Sequence, residues 1–121
     1  ELDLAVIARR ALDQLQPELE GKLRLRLQSA PARGARQEVE TAVFLLLENA
    51  ARYSGSWVSL RSGRVSGVSY LFIHNDVAEA AAKGTGVGLG IVERLGKRNG
   101  LALQSRERKE SYSLLVTRRG D

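Results

Sequence analysis

Cysteine is missing from this chain, and histidine occurs once, at His74. Neither a disulfide framework nor a thiolate metal site can therefore form, and a zinc site built on clustered histidines is excluded. No apolar run approaches the roughly 20 residues needed to cross a bilayer, and the opening Glu1-Leu2-Asp3 is not the basic lead-in of a secretory signal. Long blocks of single-sign charge are absent too. The formal net charge is +5 and the pI about 10.1, yet only Arg106-Glu107-Arg108-Lys109 and Arg118-Arg119 cluster, each beside polar or acidic neighbours. A scattered excess of this kind reads as a solvated surface rather than a nucleic-acid footprint.

What is present is the composition of a folded domain. At 121 residues, 43% hydrophobic and 27% charged, residues 1–121 are expected to form one compact unit with a single core. Leu4, Ile7, Ala8, Ala11, Leu12 and Leu15 recur at spacings of three and four, predicting a helix from Leu4 to Leu19 that Pro17 disrupts in its last turn and Gly21 ends. Lys22-Leu23-Arg24-Leu25-Arg26-Leu27 alternates strictly, predicting a half-buried strand with leucines on one face and cations on the other. Gln37 to Tyr53 carries the strongest helical pattern, with Val39, Ala42, Val43, Leu46, Leu47 and Ala50 as its buried stripe. Trp57 to Arg61 and Arg64 to His74 read as a hairpin turning at Ser62-Gly63.

Beyond Asp76 lie a short alanine-rich stretch, a glycine-rich loop and a helix from about Gly88 to Arg98, with Leu89, Val92 and Leu95 inward and Asn99-Gly100 as its stop. Leu101 to Ser105 and Tyr112 to Thr117 complete the chain as two strands. Strands paired as hairpins, with few helices between them, predict an α+β fold: a two-layer α/β sandwich whose helices cover one face of the sheet. The regular alternation of a doubly wound sheet is not there.

Two segments carry chemistry. At 100° per residue Asn49 falls on the edge of its helix's buried stripe, where an amide can reach a cleft while the helix stays packed; taken alone, an asparagine in a helix is more often a solvated bystander. Gly84, Gly86, Gly88 and Gly90 at the start of a helix weaken it. Either backbone must approach something closely there, as at an anion-binding helix N-terminus, or the segment is a hinge. No Gly-Lys-Ser/Thr follows, so this is not a P-loop.

Together, Glu48-Asn49-Ala50-Ala51-Arg52-Tyr53-Ser54 and Lys83-Gly84-Thr85-Gly86-Val87-Gly88-Leu89-Gly90-Ile91-Val92 resemble the N box and the G2 box of bacterial sensor histidine kinases, within the wider GHKL ATPase superfamily. The resemblance spans nearly the whole chain and implies the Bergerat-type ATP-binding fold, a mixed sheet of about five strands with about three helices on one face. It implies ATP or ADP and Mg²⁺ as cofactors. Asn49 is the implied magnesium ligand, Arg52 a phosphate contact, and Tyr53 a neighbour of the adenine or ribose. Gly84, Gly86 and Gly88 would let backbone amides meet the phosphates, with Thr85 a hydroxyl donor and Val87 and Leu89 in the same stretch.

The sequence departs from the family in places. The adenine-binding G1 box falls on Asn75-Asp76-Val77-Ala78-Glu79, with Asn75 where the family has aspartate and no glycine following. Asn75 accepts through its amide oxygen without the strength of a charge, and Asp76 is a second candidate; the pair also suits a plain turn at a strand end. Only Val77 to Lys83 separate this box from the glycine loop, where the family has a longer lid. Leu45 stands one turn before Asn49, where ATP-hydrolysing relatives carry a water-activating glutamate. His74 lacks the acidic neighbour of the family's phosphoacceptor and reads as a strand-end residue.

The resemblance accordingly implies a histidine kinase catalytic domain, cytoplasmic and monomeric in isolation, reaching a membrane only through upstream segments. It would present Mg·ATP to a histidine on a separate dimerisation domain, with a response regulator downstream and no nucleic-acid partner. A non-catalytic relative of the same fold, binding a partner or regulating a kinase, is the alternative; a serine kinase of related fold follows.

Overall fold

The computed structural model describes residues 1–78, 87–107 and 110–117. A two-residue strand β1 (Leu2–Asp3) leads into α1 (Leu4–Gln14) and the single turn α2 (Gln16–Leu19), followed by β2 (Leu23–Leu27), β3 (Pro31–Ala32), α3 (Arg36–Tyr53) and the hairpin β4 (Val58–Val65) with β5 (Val68–Asp76). The chain continues through α4 (Val87–Arg98), β6 (Leu101–Glu107) and β7 (Glu110–Thr117). The five-stranded sheet has the order β2-β4-β5-β7-β6, and β1 pairs separately with β3. β2 runs parallel to β4 and the remaining neighbours are antiparallel, so the sheet is mixed. Parallel partners require a long crossover, and α3 provides the one between β2 and β4. β6 follows β5 in chain order with β7 between them, and α4 makes that second crossover.

The helix stripes read from the sequence are the ones buried. In α3, Val39, Ala42, Val43, Leu46, Leu47 and Ala50 are all within 2% of full burial. Each buried leucine contributes about 1.5–3 kcal/mol of apolar transfer, and this long helix lies at the centre of the core. Leu4, Ile7, Ala8, Ala11 and Leu12 line the inner face of α1. Val92 anchors α4, with Leu89 and Leu95 half-buried beside it.

The hairpin corrects one expectation. Its turn is Ser66-Gly67, both at positive φ (52° and 80°), the geometry of a tight two-residue connection. Ser62 and Gly63 instead lie within β4, opposite Leu71 and Tyr70. Both have specific work there. The buried Ser62 hydroxyl donates to the Gln28 carbonyl at 2.7 Å and accepts from the Gln28 N–H at 3.0 Å, and a Cβ on Gly63 would stand 3.2 Å from the Tyr70 hydroxyl. The first helix also differs, because it breaks at Leu15, one residue ahead of the turn containing Pro17. Of the β2 leucines, Leu23 and Leu27 pack against the core while Leu25 is 44% exposed on this edge strand.

Two polar devices tie layers together. The Asp3 side chain caps α1 through the Ala5 N–H and also accepts the Ala30 N–H and the Ser29 hydroxyl, at 2.7–2.9 Å. At the other end, the Asn99 amide follows α4 and reaches α3. Its oxygen accepts the Ala35 N–H at 2.7 Å, while its nitrogen donates to Glu38 Oε1 at 2.9 Å and to the Leu95 carbonyl at 2.7 Å. Arg98 pairs with the second Glu38 oxygen at 3.0 Å. Gly34 leaves room for this amide, since a Cβ there would come within 2.7 Å of Asn99 Oδ1.

Asn99→Ala is therefore expected to cost about 2 kcal/mol, through lost bonds and an orphaned N–H, lowering the thermal midpoint by roughly 8 °C. Gly34→Ala should damage the same contact, so the double variant should lose clearly less than the sum of the single losses. Additive losses in a thermal-unfolding cycle would show that the two positions act independently.

Candidate functional site

The buried stripe of α3 fixes where its last two turns point. Asn49 is half-buried on the flank, Arg52 is exposed and Tyr53 is half-buried, while Leu46, Leu47 and Ala50 hold the helix from beneath. The helix stops at Ser54, whose backbone N–H still bonds the Ala50 carbonyl at 3.0 Å. Arg52 in the last turn is favoured by the partial negative charge of that helix end. Leu45, one turn before Asn49, packs against the core, so no base stands there.

β5 brings the second component to the same end. Its alternation buries Leu71, Ile73 and Asn75 toward the helices. Asn75 is 3% exposed, and its amide nitrogen donates to the Asp76 carbonyl at 2.7 Å. That bond sets which end of the amide donates and leaves the oxygen as the acceptor. Past the strand, the Ala78 N–H bonds the Tyr53 carbonyl at 2.8 Å, joining the end of β5 to the end of α3.

Asn75 and Asp76, read from sequence as two candidates for one role, are separated by the pleat. Asp76 points to the opposite side of the strand, where its carboxylate accepts the backbone N–H groups of Gly55, Ser56 and Trp57 at 2.8–3.1 Å. It builds the loop between α3 and β4 rather than facing the helix layer. Burial alone would raise its carboxyl, but the donors from Trp57, Ser56 and Gly55 outweigh that and hold it below the usual carboxylate range.

α4 completes the arrangement. Because its last turn is pinned to the first turn of α3 by Asn99 and Arg98, and the two helices pack together, its start runs back toward the Asn49 end of α3. No acidic residue occupies its first turn, and the N–H groups of a helix start carry partial positive charge. Val87 and Gly88 are the first helical residues and Leu89 is half-buried. Gly84, Thr85 and Gly86 lie outside the described residues.

Asn49, Arg52, Tyr53, Asn75 and the start of α4 are thus gathered at one end of the sandwich. A surface depression of about 430 Å³ lined by Asp3, Val6, Arg10 and Arg36 lies at the other end of α3. Among the described residues no group of three His, Cys, Asp or Glu side chains could hold a metal unaided. A single amide oxygen such as that of Asn49 suits a hard cation that brings most of its ligands with it, as magnesium does with phosphates and waters. His74 lies on the outer side of β5, bonded to Glu110 at 2.8 Å and edge-on to Trp57. The Asn99–Glu38 clamp was not legible as more than a helix stop, because its partners sit some 60 residues apart in sequence.

No family model matches the sequence, and no curated protein matches it. Solved structures do. The mycobacterial sensor histidine kinase MprB superposes with a TM-score of 0.82 at 18% identity, over 96% of this chain and 94% of that one. The catalytic domain of histidine kinase ThkA gives 0.77 at 12% identity, over 97% and 94%. Histidine kinase AdeS of Acinetobacter baumannii gives 0.78 at 21% identity, over 99% of this chain but 66% of that one. The chain has the fold of a histidine kinase catalytic domain. In this histidine kinase fold the mixed five-stranded sheet carries its helices on one face, as the sequence patterns required. No described helix is long and apolar enough to cross a membrane.

The Asp76 network yields a pH signature. Its folded-state carboxyl lies lower than its unfolded value near 3.8, so its contribution is complete above that value and disappears as pH falls through the folded one. Asp76→Asn should be less stable than the parent at pH 7, and urea midpoints should show the gap narrowing below about pH 4. A gap unchanged down to about pH 2 would mean that the loop does not depend on the carboxylate charge.

Proposed function

We propose that this chain is the ATP-binding catalytic module of a sensor histidine kinase, supplying the γ-phosphoryl group to a histidine on a separate dimerisation domain. The observation that supports the reading is that Asn49 and Arg52 on the last turns of α3 and Asn75 near the end of β5 share one end of a fold common to histidine kinase catalytic domains. The Ala78–Tyr53 backbone bond joins the two elements there. In this reading the first-turn N–H groups of α4 and the Arg52 guanidinium take the phosphates, and Asn75 Oδ1 accepts the adenine amino group. Tyr53 lies near the base or ribose. Magnesium, held by Asn49 together with phosphate oxygens, would neutralise charge on the transferring group.

Leu45 fits transfer rather than hydrolysis. With an aliphatic side chain at that position no protein base is placed to activate water, whereas phosphoryl transfer to a partner's imidazole relies on positioning and charge neutralisation. Asn75 makes a neutral bond, worth about 0.5–1.5 kcal/mol, where a carboxylate would make one of about 1.5–3 kcal/mol. Adenine selectivity should accordingly be modest. A response regulator would take the phosphoryl group from the acceptor histidine.

Calorimetric titration of the chain with ATP and Mg²⁺ should show saturable binding. Asn49→Ala should weaken it about tenfold, near 1.4 kcal/mol, and chelating magnesium should weaken the parent but not the variant further. Adding a histidine-bearing dimerisation domain should then yield an acid-labile, alkali-stable phosphate on that domain. Absence of binding at millimolar nucleotide would identify instead a non-catalytic module of the same fold.

Asn75→Ala supplies a separate check, since it removes the base contact and spares the phosphate side. Its affinity for ATP should drop toward that for GTP, and an unchanged ATP-to-GTP ratio would remove Asn75 from base recognition.

A further inference from the structure

The helices cover one face of the sheet, and the opposite face is not the polar surface that an open antiparallel sheet usually presents. On β5 and β7 the residues turned away from the helices are Tyr70, Phe72 and His74 with Tyr112, Leu114 and Val116, all half-exposed and none part of the buried core. The chain has only six Trp, Tyr and Phe residues. Four of them, Trp57, Tyr70, Phe72 and Tyr112, are on this face. With His74, the rings of Trp57, Phe72 and Tyr112 form a continuous plate, Trp57 4.8 Å from His74 and Phe72 5.8 Å from His74 and 5.9 Å from Tyr112, and Tyr70 follows Phe72 on the same face of β5. At the hairpin end the plate continues to Val65, which is 64% exposed.

Arginines border this band on both sides. One row across the strands reads Arg24, Ser59, His74, Tyr112, Arg106, and the next reads Arg26, Arg61, Phe72, Leu114, Gln104. Arg24, Arg26, Arg61 and Arg106 are all exposed. Among the described residues none of the four forms an ion pair. The acids on this face are otherwise engaged: Glu110 bonds His74, and Asp76 holds the loop at Gly55–Trp57.

We propose that this helix-free face docks an amphipathic helix of a partner protein, one whose apolar stripe is bordered by carboxylates. The band from β4 to β6 spans about 14 Å at normal strand spacing, room for one helix about 10–12 Å across with its side chains. Tyr, Trp and Arg around an apolar centre are also the residues that dominate protein interfaces. Cations on both borders match acids on both sides of the incoming stripe. A single-stranded nucleic acid fits less well, because bases need presented ring faces. Here aliphatic Leu114 and Val116 alternate with the rings, Arg24 lies 5.5 Å over the Trp57 ring, and Trp57 stands edge-on to His74 at 85°.

The inference does not depend on nucleotide binding, since its residues lie on the opposite face from Asn49 and Asn75. The probe is a labelled helical peptide of about 18 residues, long enough to cross the band at 1.5 Å per residue, with a leucine stripe bordered by glutamates. Fluorescence anisotropy should show saturable binding, and the same peptide with lysines for glutamates should bind at least about tenfold more weakly. Arg61→Glu, at an exposed position, should reduce binding by a similar factor with the thermal midpoint unchanged. Phe72→Ser should abolish it, with folding confirmed by circular dichroism. Equal binding of the two peptides, indifference to Arg61→Glu, or tighter binding of a labelled thymidine oligonucleotide would overturn the proposal. Loss of ATP binding alone would bear only on the nucleotide reading.

Discussion

One asparagine amide holds the two crossover helices in relation to each other. Asn99, the residue after α4, accepts the N–H of Ala35, which caps α3, and donates to the Glu38 carboxylate. The bonds are local, but their effect is exerted at a distance. Glu38 and Asn49 are 11 residues apart on a helix rising about 1.5 Å per residue, so a clamp at one end sets the spacing of groups some 16 Å away. Without it, only the Arg98–Glu38 pair, whose arginine is exposed, and apolar contacts, which are strong but not directional, would set where the start of α4 lies along α3. Hydrophobic burial makes α3 and α4 stay; the amide decides where they stay.

The sequence announced α3 and its stripe clearly because 18 residues give five turns over which a 3.6 period can declare itself. It announced neither β1 nor β3, since two residues cannot express a period of 2. Ser62-Gly63 misled for a different reason. Serine and glycine are turn formers by local preference, but here the hydroxyl is needed to continue the β2–β4 edge and the missing Cβ to admit Tyr70, and tertiary requirements outweigh propensity. Ser66-Gly67, four residues on, carried the same signal and is the turn.

The candidate site was legible to a similar degree. Residue type and helix phase placed Asn49 at the flank of α3. The Asn75–Asp76 pair could not be sorted without the strand register, because a slip of one residue exchanges the faces of every side chain. Pairing of Asn75 with Val58 and Ser111 fixes it on the helix side. Asp76 is thereby released for the loop, where three N–H donors converge on its carboxylate. Arg24, Arg61 and Arg106 were visible as scattered cations, and only the register across five strands shows that they border one apolar band.

The same alternation thus produces two working surfaces from one sheet. Inward residues of β5 bury apolar surface and end in a polar amide; outward residues carry rings that no described helix covers. On the proposed reading, the inward side receives a small anionic ligand at the end of the sandwich and the outward side receives a protein. Separation by a sheet about one residue thick has a physical consequence. Val58, Leu60, Leu71, Ile73 and Leu115 fill the inner layer to within 2% of full burial, and a layer packed to that density transmits displacement poorly absorbed elsewhere. A helix pressing on Phe72 or His74 acts on the backbone that positions Ile73 and Asn75. On the two proposed readings the shortest route between the surfaces is β5 itself, where inward Ile73 and Asn75 alternate with outward Phe72 and His74.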